Sequence, residues 1–168
     1  FRLTFFKKIN KNFYSQFGED KVLNELIPKN FTNGFYVDVG CFHPKKHSNT
    51  HMLFKRGWKG INIDMEKDKI ATFNLARPND YNFLGAISDK IEKVKIYRNQ
   101  KFGVSSTINK NFIKKEDIID DDNFQTTTLN IVLENSPFKR RKIDFLNIDT
   151  EGNDLKVLKS LNFDIYSP

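Results

Sequence analysis

Residues Gly34 to Pro44 read GFYVDVGCFHP, and the rest of the chain is organised around them. Phe35 to Asp38 are mostly apolar and β-favouring, and they run straight into Gly40 and a polar, proline-marked stretch. That pattern predicts a buried strand ending in a tight loop. A carboxylate at the tip of such a strand, two residues before a glycine, brings ligands onto bare backbone at the carboxyl edge of many α/β sheets. Asp38 and Gly40 are therefore the first candidate binding residues, although an ordinary strand and turn would read the same over so short a stretch.

The 168 residues suit one domain with one core, and 17 Phe with 38% hydrophobic residues exclude a disordered tail. Lys and Arg total 28 against 21 Asp and Glu, a formal charge of +7. Such a balance favours anionic partners. The basic residues are nevertheless scattered in pairs, such as Lys7-Lys8, Lys45-Lys46 and Lys114-Lys115, with a run only at Lys139 to Lys142, so a nucleic-acid surface is not expected. The single Cys41 rules out an internal disulfide and a multi-cysteine metal site. No apolar run reaches the length of a membrane span, and the amino end lacks the apolar centre of a secretion signal. A soluble, cytoplasmic protein is the expectation. The chain begins at Phe1 and stops at Pro168 just after what reads as the approach to another strand, as a fragment lacking the last strands of its sheet would.

In chain order, an extension over residues 1–13 precedes a leading helix over 14–29, with Val22, Leu23, Leu26 and Ile27 on one stripe and Glu19 and Asp20 in its first turn. Past the anchor strand, Ser48 is a suitable N-cap for a short helix ended by Gly57. Trp58 to Asp64 then predicts a second strand closing on an acid. In dinucleotide-type folds an acid about 20 residues past the glycine loop accepts hydrogen bonds from ribose hydroxyls. Asp64 fits that place, and equally fits a cap for the next helix, Glu66 to Ala76, which Ile70, Phe73 and Leu75 support. A third strand is expected over Tyr81 to Ser88. This alternation of strands and helices predicts a parallel sheet with right-handed crossovers.

Residues 89–123 break the rhythm and read as a small insertion, with a half-exposed strand at Lys93 to Arg98 and a loop over Gly103 to Ser106. The acidic stretch Glu116 to Asp122 is more simply a solvated loop than a divalent-ion site. After a short helix over Leu129 to Asn135, Ile143 to Ile148 predicts a strand buried on both faces. It is tipped by Asp149, Glu151 and Gly152 and followed by a helix carrying Leu155, Leu158 and Leu161. With sheet order three-two-one-four, Asp38 and Asp149 flank one crevice. The last strand is then an open edge suited to self-association.

Taken together, YSQFGED from Tyr14, FYVDVGCFHP, SNT at Ser48 to Thr50, GWKGINID at Gly57 to Asp64 and IDFLNIDTEG from Ile143 resemble the FkbM-type methyltransferases over nearly the whole chain. The resemblance implies a Rossmann-like class I α/β fold and transfer of a methyl group from S-adenosylmethionine to a hydroxyl of a small molecule or sugar. It further implies cofactor contacts at Asp38, Gly40, Asp64, Ala86, Ile87 and Asp149, with Glu151 toward the acceptor, and it matches Ser105 and Ser106 to a serine pair of unassigned role. One departure is the glycine loop, where Phe42 and Pro44 stand in place of further glycines. A hydroxyl acceptor must lose its proton. The candidates to take it are Asp149, Glu151 and the histidines His43, His47 and His51, of which His43 lies nearest the strand tip. No compact motif suggests a metal. The competing reading is a noncatalytic module that binds nucleotides in this fold or polyanions on its basic surface.

Overall fold

The computed structural model describes residues 13–98, 106–112 and 118–168. Its centre is β1 (Phe35–Val39), every residue of which is buried. β2 (Lys59–Asp64) and β8 (Phe145–Ile148) pair with it on either side, and β3 (Tyr81–Leu84) pairs with β2, all in parallel. The order β3-β2-β1-β8 is the three-two-one-four arrangement expected from the sequence. A second, mixed sheet holds β4 (Ala86–Ile87), β7 (Ile118–Thr127), β5 (Lys93–Arg98) and β6 (Ser106–Thr107), in the order β4-β7-β5-β6.

Strand periodicity divides the molecule into two layers. Phe35, Val37 and Val39 point to one face, with Ile61 and Ile63, and meet Leu129, Val132 and Leu133 of α4 (Leu129–Glu134) and Val157 of α5 (Asp154–Lys159). The opposite face carries Tyr36, which packs with Trp58 and with Leu53 of α2 (His51–Lys55). That face is polar further along the strands. Asp38 is in register with Asn62 on one side and Asn147 on the other, and Asn62 with Asn82. A rung of amides and one carboxylate thus crosses all four strands, although strands of a parallel sheet covered on both faces normally read as apolar runs.

Several local expectations are corrected. The leading helix is only α1 (Glu19–Leu26). Residues 14–18 bend instead, because Asp20 accepts from the Tyr14 backbone N–H and the Ser15 hydroxyl, while Ser15 Oγ accepts from Gly18 N. Such side-chain bonds compete with helix formation. Val22 and Leu26 of the expected stripe are exposed, as is Leu75 of α3 (Lys67–Ala76). Ser48 does not cap α2, whose N-cap position is Thr50. The third strand breaks at Gly85, where the chain leaves the first sheet for the second. The acidic stretch is not a loop from Ile118 onward, since its backbone pairs with β5. In α5 the buried residue is Val157, whereas Leu155 and Leu158 are exposed. Residues 1–12 and Gly103 to Ser105 of the expected loop lie outside the described residues.

Gly34 sets how closely β1 approaches the second crossing of the chain. A Cβ at this position would lie 2.3 Å from two ring carbons of Trp58, which is fully buried and donates from Nε1 to Phe31 O. The ring cannot move aside without losing that bond and its place against Tyr36. Gly34→Ala is therefore expected to cost about 1–3 kcal/mol, as overpacking typically does. Urea unfolding followed by Trp58 fluorescence measures it, and an unchanged midpoint would contradict the tight packing.

Candidate functional site

The carboxyl ends of β1, β2 and β8 open onto a cavity of about 430 Å³, within the roughly 300–1,000 Å³ range of small-molecule clefts. Asp38, Gly40, Asp64, Ala86, Ile87, Asp149 and Glu151 all line it. The sequence had placed these residues in four separate segments, and the sheet order brings them together. His43 is not among the lining residues, whereas His47 is. His43 Nδ1 accepts from the backbone N–H groups of Lys45 and Lys46, both at 3.0 Å. Desolvation, Lys46 and Arg77 hold its protonation below the ordinary histidine range. His51 lies behind the loop, where its Nδ1 donates to Pro44 O at 2.8 Å. Burial beside Arg77 lowers its pKa to about 4, so it is neutral at physiological pH.

Asp38 is held from both sides. Its carboxylate accepts from Thr50 Oγ1 at 2.8 Å and from Asn147 Nδ2 at 2.8 Å, and Asn147 Oδ1 in turn accepts from Asn49 Nδ2. Burial raises its carboxyl pKa, against the pull of Thr50, Asn147 and Arg77. Asp64 accepts from the Glu66 backbone N–H on one oxygen and from Lys69 Nζ at 3.0 Å on the other. The acid is thus buried and closes the turn that leads to α3, but the helix's N-cap position is Glu66 and carries no side-chain cap bond, so the solvated helix cap of the alternative sequence reading is not formed; Asp64 faces the cavity. Each oxygen of Asp64 has one such bond and keeps acceptor capacity for a ligand. Gly40 adopts φ +84°, and a Cβ there would fall 1.9 Å from the backbone oxygen of Asp149. The glycine is what lets the tips of β1 and β8 touch.

Three contributors were not legible as site residues. Lys69 lines the cavity and is bound to Asp64. Met65, directly after Asp64, adds an apolar wall. Arg77 stays out of the cavity but fastens its floor, donating to Pro44 O, Ser48 Oγ, Thr50 Oγ1 and Tyr36 Oη. Only Arg77 had a sequence signal at all, as the residue before a proline at a helix end, and that signal concerns the backbone. Among the described residues no group of histidine, cysteine and acidic side chains is arranged to hold a metal ion.

The described residues thus form an α/β domain with a cavity of small-molecule size at the carboxyl edge of a parallel sheet and acids at three strand tips. A family model for the FkbM methyltransferase domain matches residues 38–168, so the chain belongs to the FkbM methyltransferase family. No curated protein and no solved structure matches it. Among the described residues no helix is long and apolar enough to cross a membrane.

The side chain of Asp149 accepts no hydrogen bond from the described residues, and desolvation with the nearby Asp154 and Glu19 carboxylates raises its pKa. A carboxyl that holds its proton more tightly in the folded chain than in the unfolded one lowers stability as pH rises through its folded pKa. Asp149→Asn is expected to stabilise the protein at pH 7, with the gain shrinking as pH falls toward the ordinary carboxylate range near 4. Urea unfolding across that range reads the difference. A variant less stable than wild type at neutral pH would mean that the charge is favourably engaged.

Proposed function

We propose that the protein is an S-adenosylmethionine-dependent O-methyltransferase of Rossmann-like class I type, acting on a hydroxyl of a small molecule or sugar. The observation that carries this reading is the sign of the cavity. In a chain of net charge +7, four carboxylates, Asp38, Asp64, Asp149 and Glu151, line the cavity with one ammonium, Lys69. Such a lining suits a ligand bearing positive charge and opposes a polyanion. When bound, S-adenosylmethionine supplies an electrophilic methyl carbon on a cationic sulfur.

The residues present fit that group. Asp64 retains lone pairs for a ribose diol, Met65, Ala86 and Ile87 offer apolar surface for a ring, and Asp149 is a carboxylate without a hydrogen-bond partner of its own among the described residues. Asp38 and Gly40 would form the floor under the cofactor's amino-acid end. Glu151 and Asp149 would face the acceptor, holding its hydroxyl and accepting its proton as the new carbon–oxygen bond forms. Desolvation raises both carboxyls, which brings them closer to the basicity such a transfer needs. His43, whose Nδ1 is committed to two backbone N–H groups and whose ring is not among the cavity's lining, is the poorer candidate to take the proton.

Calorimetric titration with S-adenosylmethionine tests the reading. Micromolar binding is expected, reduced by Asp64→Asn by about 1.5–3 kcal/mol, the usual worth of a charge-assisted hydrogen bond. A chain that ignores the cofactor yet binds RNA or an acidic glycan in a salt-sensitive way would instead be a noncatalytic module.

The partner reading concerns β8. It stands at one end of the β3-β2-β1-β8 order, and its four residues are only partly buried. Among the described residues no strand pairs with its outer edge, which supports pairing with the same strand of a second copy. Light scattering is expected to show a concentration-dependent dimer, and a wild-type chain monodisperse as a monomer at high concentration would refute it.

A further inference from the structure

The turn after β8 is strained. Glu151 has φ +49° and Gly152 φ +92°, two consecutive residues in the left-handed region. A non-glycine residue there persists only where its surroundings hold it. They hold it from one direction above all. Thr107 Oγ1 donates to Glu151 O at 2.8 Å, and Asn109 Nδ2 donates to Gly152 O at 2.7 Å. Thr107 Oγ1 also accepts from the Asn109 backbone N–H, which ties the Thr107 side chain to the backbone that carries Asn109. The Phe112 ring closes over Gly152 so tightly that a Cβ there would fall 2.2 Å from it. From the other side, Thr150 donates from its backbone and its hydroxyl to Asp154.

The same short stretch alternates. Ser106 and Ile108 line the cavity, while Thr107 and Asn109 bind the turn. Ser106 also donates to Glu66, which Arg98 pairs at 2.8 Å, so the stretch is anchored at the start of α3 as well. It therefore bridges the Asp64 half of the cavity and the Asp149 half. None of these bonds had a signal in the composition of the insertion, where Ser106 was expected at the end of a loop.

We propose that Ser106 to Asn109 is a strap in which Thr107 and Asn109 act as positioning residues, holding Glu151 in its left-handed conformation so that its carboxylate faces the acceptor end of the cavity. The assignment of that end rests on the methyltransfer reading, whereas the mechanical role of the strap does not. Ile108, carried on the strap, then stands as a wall beside the acceptor and sets how large a group is admitted.

Isotope-labelled whole chain tests the strap by nuclear magnetic resonance. The Cα and Cβ shifts of residue 151 report its backbone region, and the titration of its carboxyl carbon, assigned through Glu151→Gln, reports its surroundings. Asp149, Asp154 and Lys69 are the charges that act on that carboxyl. In Thr107→Val and Asn109→Ala the left-handed shifts are expected to be lost and the titration to fall toward the ordinary glutamate value. Thr107→Ser, which keeps the hydroxyl, is expected to match wild type. Should Thr107→Val not fold, Asn109→Ala and Thr107→Ser carry the comparison. Left-handed shifts and an unmoved titration in Asn109→Ala, and in Thr107→Val where it folds, would overturn the strap. S-adenosylmethionine calorimetry on the same samples separates the two ideas. Absent cofactor binding with strap-dependent shifts refutes the functional reading alone, and intact binding with shifts indifferent to Thr107 and Asn109 refutes the strap alone.

Discussion

A fully buried guanidinium governs how this molecule is put together. Arg77, the residue after α3, sits on the polar face of the sheet among the rings of Tyr36, Phe54 and Phe73, with no exposed surface. Taking such a charge out of water costs several kcal/mol, which is tolerable only with good geometry and counter-charges. Both are present. Its two terminal nitrogens reach Pro44, Ser48, Thr50, Tyr36 and Asn62. Asp38 and Asp80 supply the opposite charge, the latter through Tyr36 Oη, which it accepts at 2.5 Å, and through Asn62 and Gly60. Only Arg77 Nε is without a partner among the described residues. The consequence reaches the cavity directly, because Thr50, to which Arg77 donates, is one of the two side chains that donate to Asp38. The glycine loop and the strand-tip acid are thereby one unit with the end of the second crossover helix.

That layer explains the division between what the sequence disclosed and what it concealed. Strand and helix alternation was legible because Phe35 to Val39, Ile61 with Ile63, and Leu146 with Ile148 carry apolar residues toward the α4 and α5 layer, and a parallel order follows from the crossovers. The opposite face was not. Asn62 and Asn147 stand between apolar neighbours, where nothing in the pattern marks them, whereas they are the two register partners of Asp38. Periodicity reports which residues share a face and is silent on whether a polar face meets water or a buried arginine. The same silence accounts for α1 and α5, where Val22, Leu26, Leu155 and Leu158 had helical spacing but remain exposed.

For the site, legibility followed backbone position. Acids at the ends of predicted strands were found because the carboxyl edge of a parallel sheet is where ligands bind, and strand ends are visible in the hydrophobic pattern. Residues that enter from elsewhere had no such marker. Lys69 reaches Asp64 from a turn of α3, and Ser106 reaches Glu66 from the insertion. Charge behaved likewise. The net excess of lysine describes the surface, and its sum conceals that the cavity is acidic, since the lysines are scattered and the acids converge.

The two halves of the site are consequently built by different means. Asp38 and Asp64 belong to strands buried at the centre of the sheet, their oxygens held by side chains and backbone that the Arg77 layer and the α3 turn immobilise. Asp149 and Glu151 belong to a turn off the edge strand, held by side-chain hydrogen bonds to backbone oxygens and by one phenylalanine ring. Disturbing the first half requires unpacking a core, with costs of several kcal/mol. Disturbing the second requires replacing one or two polar side chains, at roughly 0.5–1.5 kcal/mol for each hydrogen bond. A ligand common to every turnover belongs on the rigid half, and a ligand whose identity differs between relatives belongs where single substitutions can reshape the wall without unfolding the sheet. Under the proposed methyltransfer, that distribution of stiffness would suit a methyl donor on the side of β1 and β2 and an acceptor on the side of β8, with residues 106–109 the place where acceptor preference would change at least cost to the fold.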